Sequence, residues 1–199
     1  MTVRGRPRFA VLGSPISHSQ SPALHAAAYR VLGFDAGYGS AEVGSGGLSS
    51  FIDGLSDDWR GLSLTMPLKE EVLPLLDSAD RLTTLAGAAN TVLFTDDVGR
   101  RRVDGFNTDV AGIVNALADG GVHTAREVLL LGAGATARSA VVAAASLGAQ
   151  HITVAVRNAA RAESVARTAE ESGVATRFIP LSEGLARTSA AVAIITLPV

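Results

Sequence analysis

Glu127-Val-Leu-Leu-Leu131-Gly132-Ala133-Gly134-Ala135-Thr136-Ala137 is the stretch on which the fold turns. The mostly apolar run Glu127–Leu131 reads as a buried strand, and the alanine-rich residues 136–147 read as a helix. Between them the glycines and Ala137 have the spacing G-x-G-x-x-A. In that strand–loop–helix setting the spacing is a dinucleotide-binding fingerprint; outside it, the same residues would be an ordinary glycine-rich turn. Gly132 permits the tight turn, Gly134 lets backbone approach a pyrophosphate, and Ala137 is small enough for helix–strand packing. The helix start offers N–H groups to the anion. Gly132, Ala133, Gly134, Ala135, Thr136 and Ala137 are therefore the candidate phosphate cradle.

Toward the C-terminus the alternation continues. His151–Val156 is a strand, 159–172 a helix, and 176–179 and 191–195 two more strands. Four strands with intervening helices make the first half of a doubly wound sheet plus one strand. Readers of an unphosphorylated ribose place an acid about twenty residues after the glycines. Here the second strand ends Val154-Ala-Val-Arg157-Asn158, without an acid, and Arg161 follows one turn on. Guanidinium groups suit a 2′-phosphate, so NADP (NADPH) is the expected cofactor. Arg161 is also readable as a solvated helix residue. The chain stops at Leu197-Pro198-Val199 without the strands that complete such a sheet, which reads as a fragment or as a natural protein that continues.

Toward the N-terminus, Arg8–Gly13 is a strand and Ser21-Pro22 opens a helix to about residue 32, Ser21 as N-cap. Strands are expected at 37–43, 62–65, 89–95 and 101–104, the last two joined by Asp96-Asp97-Val98-Gly99. Helices are expected at 47–55, 70–76, 79–85 and 109–117. Ala118-Asp-Gly-Gly-Val-His-Thr124 is the best linker in the chain. The expectation is α/β: an N-terminal α/β substrate domain over 1–118, and a Rossmann-like doubly wound domain over 119–199, incomplete at its C-terminus.

Composition narrows the classes. The 199 residues are 47% hydrophobic and 18% charged with a net charge of −2, enough for a core and incompatible with disorder. Arg100-Arg101-Arg102 is the only basic run and reads as a hairpin tip, not a nucleic-acid contact. Cysteine is absent, so no disulfide framework or thiolate metal site is available. The basic N-terminus lacks the apolar run of a signal peptide, and no segment approaches the roughly 18 apolar residues that span a bilayer. A soluble cytoplasmic protein is expected, with no membrane and no nucleic-acid partner.

Sixteen of the seventeen basic residues are arginine; the exception is Lys69. Arginine serves wherever a permanent charge suffices, whereas a lysine ammonium can exchange its proton. Composition alone leaves Lys69 either a solvated surface residue or a catalytic one. Other polar clusters stand out. Gly13-Ser-Pro-Ile-Ser-His18-Ser19-Gln-Ser21-Pro22 packs hydroxyls between a strand and a helix, a setting that suits a carboxylate. His18 and His25 lack companions for a metal site. Asn90 sits in Ala88-Ala-Asn-Thr91, and Asp109 in Gly105-Phe-Asn-Thr-Asp109, where it could be a plain N-cap.

Taken together, the segments Gly13–Pro22, Thr65-Met-Pro67-Leu-Lys69, Ala86-Gly-Ala-Ala-Asn90-Thr91 and Gly105–Asp109, followed by the glycine loop, resemble the shikimate dehydrogenase family. The resemblance runs from Phe9 to Pro198. It implies that Ser19 and Ser21 hold the substrate carboxylate and that Thr65, Asn90 and Asp109 bind ring hydroxyls. It further implies Lys69 beside Asp109 at the reacting carbon as the catalytic pair, and Thr196 in the cofactor site with Arg157, Asn158 and Arg161. The implied activity is reversible reduction of 3-dehydroshikimate to shikimate with NADPH, in chorismate and aromatic amino-acid biosynthesis. The alternatives are an NAD-dependent quinate/shikimate dehydrogenase, a non-catalytic shikimate- or nucleotide-binding homologue, and, more remotely, the folate-linked dehydrogenases. The missing acid near Arg157 argues against the first, and the presence of Lys69 and Asp109 against the second. Asn158 stands where the family usually has Thr. The family's C-terminal part supplies more of the cofactor site and a substrate-contacting Gln, so a chain ending at Val199 is expected to turn over poorly.

Overall fold

The computed structural model describes residues 5–158, 162–183 and 190–197. In chain order the elements are β1 (Arg8–Gly13), α1 (Ser21–Leu32), β2 (Gly37–Glu42), α2 (Leu48–Asp53), β3 (Trp59–Leu64) and α3 (Leu68–Glu71). A 3-10 turn at Leu73–Leu75 precedes β4 (Ser78–Ala79), α4 (Arg81–Ala86), β5 (Thr91–Asp97), β6 (Arg100–Phe106) and α5 (Asp109–Asp119). Then come β7 (Glu127–Leu131), α6 (Ala135–Ser146), β8 (His151–Val156), α7 (Ala162–Glu171), β9 (Ala175–Pro180) and β10 (Val192–Ile195). Two compact units result. One holds the described residues up to Asp80 with Ala89–Phe106; the other holds Arg81–Ala88 with the described residues from Asn107 onward.

The first unit is a six-stranded sheet ordered β2-β1-β3-β5-β6-β4. β1 lies parallel between β2 and β3, while β5 runs antiparallel to both β3 and β6. Its core joins Leu12, Leu62, Leu64 and Val92 of the sheet to Leu48, Leu68 and Val72. The β5–β6 hairpin turns at Val98 and Gly99, both with positive φ (53° and 82°), the type I′ geometry that matches strand twist.

The three consecutive arginines are absorbed by the protein itself. Arg101 donates to the carbonyls of Ile52, Leu55 and Ser56, at the end of α2 and in the turn that follows it. Arg102 pairs with Asp104 at 2.8 Å, and Arg100 pairs with Asp77.

The second unit is a parallel sheet ordered β10-β7-β8-β9. Read from the other edge, its strands come third, second, first and fourth in the chain, the half-Rossmann order with a switch point between β7 and β10. The core packs Val128, Leu130, Ile152 and Val154 against Val141 and Val165. α5 and α4 pack on α6 through Val110, Ala86, Val142 and Ala143. The compact units thus part earlier in the chain than the 118–124 linker.

Element types follow the sequence reading, and the differences have local causes. The helix expected at 70–76 instead starts at Leu68 and breaks into the 3-10 turn, because Pro74 supplies no N–H to continue it. The helix expected from 79 starts at Arg81, since Ser78 and Ala79 pair with β6. Ser21 is not the N-cap of α1; Gln20 is, and no side chain caps the helix. No described helix is long and apolar enough to cross a membrane.

The hairpin predicts an acid response. Asp77 is held below the ordinary carboxylate range by the Val103 N–H first and by Arg100 second. Asp104 is held low by the Ser78 hydroxyl first and by Arg102 second. Depressed folded values mean that the stabilisation is complete above the unfolded value of about 4 and is lost as pH falls through the lower folded values. Asp77→Asn should therefore lower the urea midpoint at pH 7 yet flatten its further decline below about pH 4. An unchanged acid decline in this variant would show that the pair contributes nothing.

Candidate active site

The carboxyl ends of β1 and β3 and the start of β5 lie on one edge of the first sheet. Backbone bonds fix them: Thr65 N–H to Leu12 O at 2.9 Å, Ser14 N–H to Met66 O at 2.9 Å, and Leu64 N–H to Asn90 O at 2.7 Å. A Cβ on Gly13 would collide with Thr65 Cγ2 and Met66 O, so only glycine lets the two chain segments approach. Beyond Thr65 the chain passes a cis Met66–Pro67 bond into α3. There the Lys69 carbonyl accepts the Ala89 N–H at 2.8 Å. Thr65, Lys69 and Asn90 are all half-buried and so are brought together by the backbone. The open end of parallel strands is where α/β sheets bind ligands.

Ser19 and Ser21 lie between β1 and the first turn of α1. The Ser21 N–H donates to Ser19 Oγ at 3.3 Å, and the Ser21 carbonyl lies 2.9 Å from His25 Nδ1. The His25 ring stacks on Tyr38 with centroids 3.8 Å apart. Tyr38 donates to Ser63 Oγ at 2.8 Å; burial raises its phenol, while bonds with Ser63 and Ser21 act the other way. The Ser21 hydroxyl thus meets the Tyr38 phenol of β2 instead of capping the helix.

Asp109 is half-buried in the second unit, as the first residue of α5. It is not the cap. The side-chain Oδ1 of Asn107 accepts the N–H groups of Asp109 (3.1 Å) and Val110 (3.3 Å), which removes the plain N-cap reading of Asp109. Sequence reasoning passed over Asn107, and with it Arg138 and Ser139 on α6. The available signal was an arginine inside an otherwise alanine-rich, buried helix.

The glycine loop occupies the switch point. Gly132 has φ 120° and donates to Ala155 O at 3.1 Å. Thr196, at the end of β10, donates to Leu131 O through its N–H (2.9 Å) and its hydroxyl (3.1 Å). A Cβ on Gly132 would strike Thr196 Oγ1, whereas a Cβ on Gly134 would meet nothing within 4 Å. The space over Gly134 is open where a pyrophosphate would approach. α6 starts at Ala135 after the N-cap Gly134 without a side-chain cap, so the first-turn N–H groups of Ala135 and Thr136 face the loop that contains Ala133, and buried Ala137 packs inward. Arg157 and Asn158 are exposed just past β8. Arg161 lies outside the described residues. The cradle fits a dinucleotide.

A glycine loop at the switch point of a half-Rossmann sheet, in a chain that also holds a second α/β unit, is the layout of a two-unit dinucleotide-binding protein. Residues 11–92 match the shikimate dehydrogenase substrate binding domain, and residues 116–196 match the shikimate / quinate 5-dehydrogenase family. The NADP(+) shikimate dehydrogenase of Caulobacter vibrioides is 41% identical over 169 residues, covering 83% of this chain and 58% of that protein. The solved Mycobacterium tuberculosis shikimate dehydrogenase is 39% identical with TM-score 0.83, covering 96% of this chain and 70% of that one. The Thermus thermophilus shikimate 5-dehydrogenase, solved in complex with NADP(H) and shikimate, is 35% identical with TM-score 0.80, covering 96% of this chain and 68% of that one. This chain belongs to the shikimate dehydrogenase family. It spans less than two thirds of the length of its curated relative from Caulobacter vibrioides.

The loop geometry separates its two glycines. Gly132→Ala should cost about 1–3 kcal/mol in urea unfolding, through its positive φ and the contact with Thr196. Gly134→Ala should stay within about 1 kcal/mol of the parent while weakening NADP binding at least tenfold by calorimetry. Equal stability losses in the two variants would contradict the assignment.

Proposed function

We propose that this chain carries the substrate- and cofactor-binding parts of an NADP-dependent shikimate dehydrogenase, interconverting 3-dehydroshikimate and shikimate in chorismate and aromatic amino-acid biosynthesis. Residues 1–118 are assigned to the substrate and 119–199 to NADP. Family membership supports the activity. The observation that carries the residue assignment is the backbone convergence of Thr65, Lys69 and Asn90 on the open edge of a parallel sheet.

In this reading Ser19 and Ser21 hold the substrate carboxylate, and Thr65, Asn90 and Asp109 bind its ring hydroxyls. When bound, NADPH supplies the hydride. As the substrate carbonyl is reduced its oxygen gains negative charge and needs a proton. The Lys69 ammonium stabilises that charge, and Lys69 with Asp109 forms the pair that delivers the proton. The donor is assigned to the pair and not to either residue alone. Gly132 to Ala137 and Thr196 shape the pyrophosphate cradle. Arg157, Asn158 and Arg161 receive the 2′-phosphate. The protein is read as cytoplasmic, a monomer or homodimer with a small-molecule substrate.

Two measurements test this. Lys69→Ala should lower kcat for shikimate oxidation at least a hundredfold while changing shikimate affinity less than about fivefold. Comparable losses in both would recast Lys69 as a binding residue. Arg157→Ala should cut the preference for NADP over NAD by roughly tenfold or more, and an unchanged ratio would favour the NAD-dependent quinate/shikimate reading.

A further inference from the structure

Three polar residues that the proposed chemistry does not use are buried together in the second unit. Asn107, Arg138 and Ser139 are 2%, 6% and 0% exposed. The Asn107 amide is fully engaged. Its Nδ2 donates to Ala88 O (2.9 Å) and Ser139 Oγ (3.0 Å), while its Oδ1 accepts the N–H groups of Asp109 and Val110. Ser139 lies one turn inside α6 and donates back to Ala135 O at 3.4 Å. Arg138, beside it, donates through Nε to Ala86 O (2.7 Å) and through Nη2 to Gly87 O (3.0 Å). The carbonyls of 86, 87 and 88 are thus all taken by these side chains.

The arrangement is costly for a structural cap alone. A guanidinium buried in an alanine-rich helix carries a desolvation penalty that an apolar residue would not. What it secures is registry. Asn107 grips the first two N–H groups of α5 on one side and the dinucleotide helix on the other. Arg138 fixes the end of α4 at Ala86 and Gly87, three to four residues ahead of Asn90.

We propose that Asn107, Ser139 and Arg138 are positioning residues, locking the turn that bears Asp109 to helix α6 so that the carboxylate is placed relative to the dinucleotide cradle. This rests on the assignment of Asp109 to substrate given above. Ser139 acts through Asn107, and Asn107 acts through the backbone of Asp109.

The test is a double-mutant cycle on shikimate affinity, measured by calorimetry at saturating NADP. Ser139→Ala removes one acceptor of the Asn107 amide at almost constant volume. It should weaken shikimate binding about three- to tenfold and leave NADP affinity within about twofold. In an Asp109→Asn background the same substitution should have almost no further effect, because a residue acting through Asp109 has nothing left to act on. Additive losses in the double variant, or unchanged shikimate affinity in Ser139→Ala, overturn the proposal. If Asp109→Asn alone binds shikimate as the parent does, the assignment of Asp109 fails instead. Should Ser139→Ala not fold, Arg138→Lys enters the same cycle with the same expected outcomes, since one ammonium cannot span two carbonyls as the guanidinium does.

Discussion

Helix α6 has no solvent side over its middle two turns: every residue from Ala137 to Ala144 is buried. The sheet lies under one face and α4 and α5 lie on another. Such a helix must be built from small residues, because neighbouring elements on both sides have to approach its backbone. That one constraint explains the alanine run. It also sets where the loop before it can go, because the start of a helix fixed on two sides cannot drift. The cradle formed by Gly132 and Gly134 therefore leads straight into an element packed on two sides.

The same crowding acts at the other end of the loop. β10 runs beside β7, and Thr196 reaches back to the Leu131 carbonyl with both its N–H and its hydroxyl. A side chain at position 132 has no space there. The role of glycine at 132 is therefore partly steric and internal to the protein, while Gly134 borders open space that a ligand can use. A shared motif thus combines two physical demands, one from packing and one from recognition.

Much of this was legible in the sequence, and the reasons differ by residue. The strands β1, β7 and β8 fall where the apolar runs end against glycine or Arg-Asn, since a buried parallel strand has little freedom in composition. The glycine loop was legible because its spacing and its flanking elements agree. The cap of α5 was not. Asn107 and Asp109 are both residues that cap helices, and only the path of the backbone decides which carbonyl oxygen meets the N–H groups. The same holds for Ser21 at the start of α1, whose hydroxyl is met by Tyr38 of β2. Arg100 to Arg102 read correctly as a hairpin feature, but their partners at Ile52, Asp77 and Asp104 come from up to 49 residues away. Side-chain partners chosen by tertiary approach leave no periodic trace.

Lys69 shows what the backbone adds to a compositional oddity. A group that moves a proton needs position before it needs basicity, because proton transfer works only within hydrogen-bond reach. A long side chain on a free loop would meet that need poorly. Here the stem starts from a four-residue helix that opens with fully buried Leu68, and the Lys69 carbonyl holds the Ala89 N–H. The chain segment leading to Asn90, a proposed ligand of the ring hydroxyls, is therefore tied to the backbone of the lysine that the proposed chemistry uses. An arginine at that point would keep the charge and lose the exchangeable proton. The one lysine in a chain of arginines thus stands where the backbone gives its position a use.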